Sequence, residues 1–238
     1  MEQKARFLRP KLLPVLTVAF GCLGLVWGAA SLEQSIVAAD FWDVEAQLLR
    51  FENFSHAASV RTLESAAAQS LSPCDNHSQR ALLLMELPLA DADLRSGATS
   101  DFDRRVQSLE TRTRRMLSCT PRDSFAWLVA FGLEARRGVT ARSFDMLAAS
   151  YETSPLEAWI GLRRMIVAIP LTLSAPEPIQ RMILDEFQHL VRNRFVEIPA
   201  RLYFNASSDI RKLLDSRIEQ LSPSSKRLFS EELAKLRS

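Results

Sequence analysis

The stretch SYETSPLEAWIGL, Ser150–Leu162, is the part of the chain that best indicates the fold. It repeats a pattern seen upstream in TPRDSFAWL, because one proline, one large aromatic residue and one leucine recur at an interval of 34 residues. The matching residues are Pro121, Phe125 and Leu128 in the first copy and Pro155, Trp159 and Leu162 in the second. A constant interval of this length is typical of a repeated helical unit.

Each proline in this pattern predicts the start of a helix. In the second copy, Ser154 can accept hydrogen bonds from the first turn, Pro155 suits the first helical position, and Glu157 can complete a capping box. Trp159 and Leu162 then fall at helical spacing and predict one buried face. The pattern therefore predicts a helix that begins at Pro155.

Helical periodicity continues through most of the remaining chain, and few runs alternate as strands do. We therefore predict an all-α fold made of antiparallel helical hairpins. Residues 33–99 are predicted to form a juxtamembrane helical region that ends in an exposed loop, Pro88–Asp101, because this stretch is polar and contains Gly97. Residues 100–238 are predicted to form a helical-repeat domain.

The repeated unit resembles the tetratricopeptide repeat, a family of 34-residue helix-turn-helix units that stack into a solenoid. Counted from Ser124, Trp127 takes the family's aromatic position in the first helix and Pro155 takes that of its terminal proline. Gly132 stands one residue later than the family's glycine. The resemblance covers residues 100–192 and implies a solenoid of stacked hairpins. An unrelated antiparallel helical bundle is the alternative.

The N-terminal region predicts a membrane anchor. Residues 12–32 include no charged side chain, and a helix of that length crosses a bilayer core of about 30 Å. Basic residues precede this segment and acidic residues follow it, which predicts a cytoplasmic tail over residues 1–11 and an outward-facing body. A cleaved signal peptide ending near Gly28–Ala30 is the alternative reading.

The cysteines are consistent with export to an oxidising compartment. Cys22 lies in the apolar segment, so Cys74 and Cys119 are the cysteines of the outward body. Each stands where a leucine-containing helix runs into a proline-marked turn, and neighbouring hairpins can bring two such ends together. We expect a disulfide between them; two free, buried thiols are the alternative.

No arrangement of residues predicts catalysis. Glu186 and His189 share a helical face, but a helical di-metal site needs a second such pair and further carboxylates. Asp75 and His77 beside Cys74 fit a polar turn better than a metal site. The sequence includes no phosphate-binding loop, serine nucleophile elbow or zinc-protease motif. We therefore predict that the protein is not an enzyme and has no cofactor or metal.

Arginines are concentrated in the first repeated unit and its flanks, where they outnumber carboxylates. If helix pairing gathers them on one side, they are candidates for binding carboxylates or phosphates: Arg104, Arg105, Arg112, Arg114, Arg115, Arg136 and Arg137. The alternative is that these arginines are spread over helix faces that water solvates. The net charge of +2 does not indicate nucleic-acid binding.

The layout of a short basic tail, one span and an outward helical-repeat body is similar to that of bacterial envelope proteins that accompany polysaccharide export. This similarity implies a single-pass protein of the bacterial inner membrane whose C-terminal domain lies in the periplasm. We expect it to act as an adaptor for protein partners of an envelope assembly or polysaccharide-export system. The alternative is a non-catalytic module that binds an acidic polysaccharide or a lipid headgroup.

Overall fold

The computed structural model describes residues 9–52 and 54–237, and every regular element in those ranges is helical. The all-α fold class is therefore confirmed. A single turn of 3₁₀ helix, Ile169–Leu171, follows α8. The α-helices are α1 Arg9–Leu49, α2 His56–Glu64, α3 Ala66–Ser70, α4 Asn76–Ser96, α5 Thr99–Cys119, α6 Ser124–Ala135, α7 Ala141–Thr153, α8 Ala158–Ala168, α9 Glu177–Arg192, α10 Glu197–Asn205, α11 Ser208–Ile218 and α12 Pro223–Lys235.

Helix α1 lies in two environments. Its first half carries large apolar side chains that are exposed, among them Phe20, Leu25 and Trp27, each at least 75% accessible. Its last turns carry Phe41 and Leu48, which are buried where α1 packs against α4. The helix runs without a break across the boundary predicted between residues 32 and 33. Most of the predicted cytoplasmic tail, residues 1–8, lies outside the described residues.

Within residues 9–52 and 54–237, no helix combines the length and the mean hydropathy that crossing a membrane requires.

The loop predicted over Pro88–Asp101 is wrong. Helix α4 continues through Pro88 to Ser96, and α5 begins after only Gly97 and Ala98. Gly97 ends α4 with a φ of 76°, a left-handed conformation that glycine adopts without steric cost. The polar stretch stays helical because Asp93 belongs to its buried face, where the carboxylate accepts a 2.6 Å hydrogen bond from Arg105. A charged residue thus completes a packing face that looked interrupted in the sequence.

The predicted helix start at Pro155 is also wrong. Helix α8 begins at Ala158, and Glu157 stands at its N-cap without a capping side-chain bond. The backbone of Ser154 and the side chain of Glu157 bond to residues of α8 instead. The carbonyl of Ser154 accepts from Nη2 of Arg164 at 2.8 Å, and the carboxylate of Glu157 accepts from the indole of Trp159 at 2.7 Å.

Many of the helices pack against the next helix along the chain, and from α6 onward also against the next helix but one. Helix α4 contacts α5, α6 contacts α7, and α8 contacts α9; α6 also contacts α8, α7 contacts α9, and α8 contacts α10. The same alternation continues from α9 to α11 and from α10 to α12. The buried apolar residues of these helices form one hydrophobic core, which extends from Phe41 on α1 to Phe229 on α12.

Candidate functional site

The seven candidate arginines do not converge on one surface. Five of them form ion pairs with carboxylates: Arg104 with Asp101, Arg105 with Asp93, Arg112 with Glu86 at the long distance of 3.8 Å, Arg136 with Asp91, and Arg137 with both Glu110 and Glu134. The pairs made by Arg105 and Arg136 join α5 and α6 to α4, and the one between Arg137 and Glu110 joins α6 to α5. These three arginines therefore stabilise helix packing, while Arg104 pairs within its own exposed turn.

Three of the candidates do meet in one pocket. Arg104, Arg112 and Arg115 line a pocket of about 530 Å³ between α5 and the chain around α3. We call it the arginine pocket. Its other lining residues are small, amide-bearing or hydroxyl-bearing: Ala68, Gln69, Leu71, Pro73, Gln79, Gln107, Ser108 and Thr111. Within the described part of the chain, no carboxylate is among the lining residues, and the exposed Arg114 is not one of them.

Arg112 is held at the inner side of the arginine pocket, with 20% of its side chain exposed. Its Nη1 donates to Oε1 of Gln79 at 2.7 Å, whereas its Nε stays 3.8 Å from Oε2 of Glu86. Burial lowers the pKa of Arg112, and Glu86 opposes this effect. Burial also raises the pKa of Glu86, against the effects of Ser108 and Arg112. Arg112 is thus a buried cation beside a weakly engaged counter-ion.

The predicted disulfide is present beside the arginine pocket. Cys74 and Cys119 are bonded, with their Cα atoms 5.3 Å apart. Cys74 follows Pro73, a wall residue of the pocket, and Cys119 is the last residue of α5. The bond therefore fixes the wall segment against the end of the helix that carries the arginines.

A second concave feature is an apolar groove of about 430 Å³ that crosses α4, α6 and α8. Its floor is formed by Leu84, Leu87, Pro88, Phe125, Leu128, Val129, Gly132, Leu133, Ile166 and Val167. Ile166 and Val167 remain 45% and 37% accessible, so an apolar strip of α8 faces solvent. Asp91, Arg136, Arg163 and Glu52 lie at the edges.

One end of the apolar groove is closed by the chain that leaves α1. Leu48 and Phe51 line it there, and Phe51 has a φ of 62°, which is uncommon for an aromatic residue. Arg163 holds this segment in place, because its guanidinium lies 4.0 Å from the centre of the Phe51 ring and donates to the carbonyl of Leu48 at 2.6 Å. Burial lowers the pKa of Arg163 to about 10. Apolar side chains from the end of a helix therefore form one wall of the groove.

A buried charge network fixes α1 to the helices of the groove. Arg80 of α4 bonds to Glu45 of α1 and to Asp123, whose other oxygen caps α6 by accepting from the amide of Ala126 at 2.8 Å. Nδ1 of His77 lies 2.6 Å from the same Glu45 carboxylate. Burial opposes the charge of Arg80, but Asp123 and Glu45 outweigh it and raise the pKa of this guanidinium. The orientation of α1 is thus coupled to α4 and α6.

The repeated residues occupy different environments. Phe125 and Leu128 are buried, Leu162 is partly buried, and Pro121 and Pro155 are exposed. Trp159 packs against the core, with its ring 6.0 Å from that of Phe125. Trp127 is also partly buried, and its indole donates to the carbonyl of Pro121 at 2.8 Å, so it closes its own turn.

Glu186 and His189 line one pocket but have different hydrogen-bond partners. The carboxylate of Glu186 is bonded to the fully buried Arg164, while Nε2 of His189 lies 3.2 Å from Asn193. Burial raises the pKa of Glu186, and Arg164 opposes the rise. Among the described residues, no group of three or more potential metal ligands is found.

Several residues with prominent roles were not identified from the sequence. Arg80, Arg163 and Arg164 each contact two or more helices or loops, and Phe51 shapes the apolar groove. Ile166, which helical spacing predicted on the same buried face as Trp159 and Leu162, is instead 45% accessible and lines that groove. Two adjacent arginines in the otherwise apolar AWIGLRRMIVA of α8 were the available signal, since buried arginines require partners.

Comparison with known proteins gives no match, whether to a protein-family model, a curated protein or a solved structure.

Proposed function

We propose that the protein is a membrane-anchored helical-repeat adaptor whose body faces the periplasm and binds a protein partner in the apolar groove. Three observations support this proposal: the chemistry of α1, the order in which the helices pack, and the open groove itself. The open groove is the observation that supports partner binding. The apolar half of α1 and the stacking of the helices indicate how the groove is held outside the membrane.

The membrane anchor is proposed from the first half of α1. The uncharged residues 12–32 form part of this helix, and large apolar side chains there lie exposed rather than packed. Such a surface is costly in water and favourable in a bilayer. The basic residues that precede it favour a cytoplasmic N-terminal side, with the body in the periplasm of a bacterium.

A tetratricopeptide-like solenoid is proposed for the body. Contacts with the next helix but one run from α6 to α12, as is expected when helical hairpins stack in one direction. In that arrangement α4, α6 and α8 are the first helices of successive hairpins, and the apolar groove crosses their shared face. A solenoid of this kind presents an extended surface for a partner.

The partner segment that suits the groove is an apolar stretch of a helix or helix end. Leu48 and Phe51 already place side chains of this kind at one end, and the exposed Ile166 and Val167 continue the same surface. The edge charges do not demand a particular partner charge, because Arg136 is paired with Asp91 and Arg163 with the α1 segment. Burying the apolar strip would contribute roughly 25 cal/mol per Å² removed from water, against which the entropy cost of association is set.

The experiment that tests this function is a comparison of two charge substitutions in the full-length membrane protein. Ile166→Glu places a carboxylate in the groove, and Leu94→Glu places one at a comparably exposed apolar position outside it. Proteins crosslinked in intact cells and purified with each variant are compared with those from the parent protein. We expect a reproducible partner to be lost with Ile166→Glu and retained with Leu94→Glu. Equal recovery with both variants would refute a role for the groove.

A further inference from the structure

We propose that the arginine pocket is a binding site for an acidic polysaccharide, separate from the apolar groove and independent of the adaptor function. The ligand is a linear sugar chain that carries several carboxylate groups. Arg104 and Arg115 contact its anionic groups at the opening, and Arg112 provides the inner positive charge.

The charge balance of the pocket favours an anion. Three guanidinium groups line it and no carboxylate does so within the described residues. The Arg115 side chain is exposed and makes no ion pair or hydrogen bond with any of the described residues. Its donors therefore face solvent. Arg104 is bonded to Asp101, but both side chains are largely exposed, and such pairs exchange readily with other partners. Planar guanidinium groups can bind carboxylates with two parallel hydrogen bonds.

The innermost charge of the pocket, Arg112, is only partly balanced by Glu86. Nε of Arg112 is buried without a hydrogen-bond partner among the described residues, and the carboxylate oxygen of Glu86 that faces it is 3.8 Å away. The cost of burying this cation is therefore incompletely offset in the free protein. An anion that enters beside Arg112 would reduce that cost, which is a favourable contribution to binding.

The shape of the pocket suits a polymer better than a single small ion. Arg104, Arg112 and Arg115 recur at spacings of eight and three residues along one face of α5, with Gln107, Ser108 and Thr111 between them. From Arg104 to Arg115 the helix rises about 16 Å. One phosphate or carboxylate cannot reach across that length, whereas a chain with anionic groups at regular intervals can.

The remaining lining residues favour a sugar over a lipid surface. Gln69, Gln107 and Thr111 offer amide and hydroxyl groups, which match the hydroxyls of a sugar ring. Tryptophan and tyrosine are common where a protein meets a membrane interface, yet neither is among the lining residues in the described part of the chain. The site is also concave, whereas a bilayer surface would contact exposed side chains on a flatter face.

The disulfide gives this site a fixed wall. Pro73 and Leu71 face α5 across the pocket, and the bond from Cys74 to Cys119 ties that wall to the last residue of α5, four positions beyond Arg115. A wall held in place lowers the conformational entropy that would otherwise be lost on binding.

The test measures binding of polygalacturonate to the full-length protein in detergent by isothermal titration calorimetry at low and moderate salt. The variant Arg104→Gln, Arg115→Gln removes the two exposed charges of the pocket. Arg114→Gln removes a neighbouring exposed charge of α5 that does not line it and is the matched control. Ile166→Glu tests whether the apolar groove contributes.

We expect the double variant to weaken binding by about tenfold or more and the control by less than about twofold, because only the former removes charge-assisted contacts. Ile166→Glu should leave the affinity unchanged. Equal weakening by Arg114→Gln would show non-specific attraction and overturn the proposal. Failure of the parent protein to bind polygalacturonate would also overturn it, as would equally tight binding of inorganic phosphate or of vesicles that contain phosphatidylglycerol.

Discussion

Arg164 of α8 and Glu186 of α9 form a buried ion pair in which Nε and Nη2 of the arginine both bond to Oε1, at 3.0 and 2.6 Å. The same guanidinium donates to the carbonyls of Ser150 and Ser154, at 2.7 and 2.8 Å. One buried arginine thus joins the end of α7, the turn before α8, and α9. The turn between α7 and α8 is therefore bonded to the core through Ser154, although Pro155 and Leu156 in the same turn are exposed.

The first prediction concerns loss of this carboxylate. Glu186→Ala leaves the guanidinium of Arg164 buried without its counter-ion and should lower the free energy of unfolding by about 3–5 kcal/mol. Glu157→Ala is the control, because that carboxylate is exposed and bonds only to Trp159 among the described residues. Chemical denaturation of both variants, followed by circular dichroism, gives the comparison. Equal stability of the two variants would contradict the structural role of the pair.

The second prediction concerns a glycine that permits this contact. A Cβ atom at Gly161 would stand 2.9 Å from Oε1 of Glu186, so Gly161→Ala should destabilise the protein by about 1–3 kcal/mol through overpacking. At Gly132, inside α6, an added Cβ atom would meet none of the described residues beyond its own helix backbone within 4 Å. Gly132→Ala should therefore raise stability by about 0.5–1 kcal/mol. Thermal unfolding of the pair is the measurement, and shifts in the same direction would contradict it.

The third prediction separates the two repeat tryptophans. Trp159 packs against Phe125 and lies under the guanidinium groups of Arg80 and Arg163, at 5.4 and 5.7 Å from the ring centre. Trp159→Ala should cost more than Trp127→Ala, but less than the roughly 3–5 kcal/mol of a fully buried aromatic residue, because the ring is only partly buried. Denaturant midpoints measured on both variants test this order, and a larger loss at Trp127 would reverse our assignment of the packing faces.

The sequence predicted the helical class and most helix positions because apolar residues at spacings of three and four mark the core, as at Phe125 and Leu128. It failed where a charged residue completes a packing face. Asp93 belongs to the buried face of α4 beyond Pro88, and Arg164 bonds to the carbonyl of Ser154 in the turn where a helix start was predicted. Helix α10 was also missed, since Pro199 interrupts the pattern in its first turn.

The candidate site was predictable only in part, because the partners of charged residues come from other helices. Local spacing indicated that arginines cluster in the chain, and it paired the two cysteines by their similar contexts. It could not show which arginines meet carboxylates from other helices, as Arg105 meets Asp93, and which line an open pocket, as Arg115 does. Those distinctions depend on contacts between residues that are distant in the sequence.

The fourth prediction tests the proposed anchor. Leu23 and Val26 are 70% and 72% accessible on α1, and replacing both with arginine should abolish retention in the membrane, because charge at the centre of a span is costly. Leu94→Arg is the control at an exposed apolar position of α4. Alkaline extraction of membranes should leave the parent and the control in the pellet and release the double variant. Release of the parent protein would rule out the anchor.

The central claim, that the apolar groove binds a protein partner, is tested most directly by photocrosslinking from Val167 in intact cells. A photoreactive residue at this position lies on the groove floor, and one at Leu94 lies on exposed apolar surface outside the groove. We predict a discrete protein adduct from Val167 that is absent from Leu94 and disappears when Ile166→Glu is introduced into the same chain. The same adduct from both positions, or an adduct at Val167 that persists with Ile166→Glu, would contradict the account.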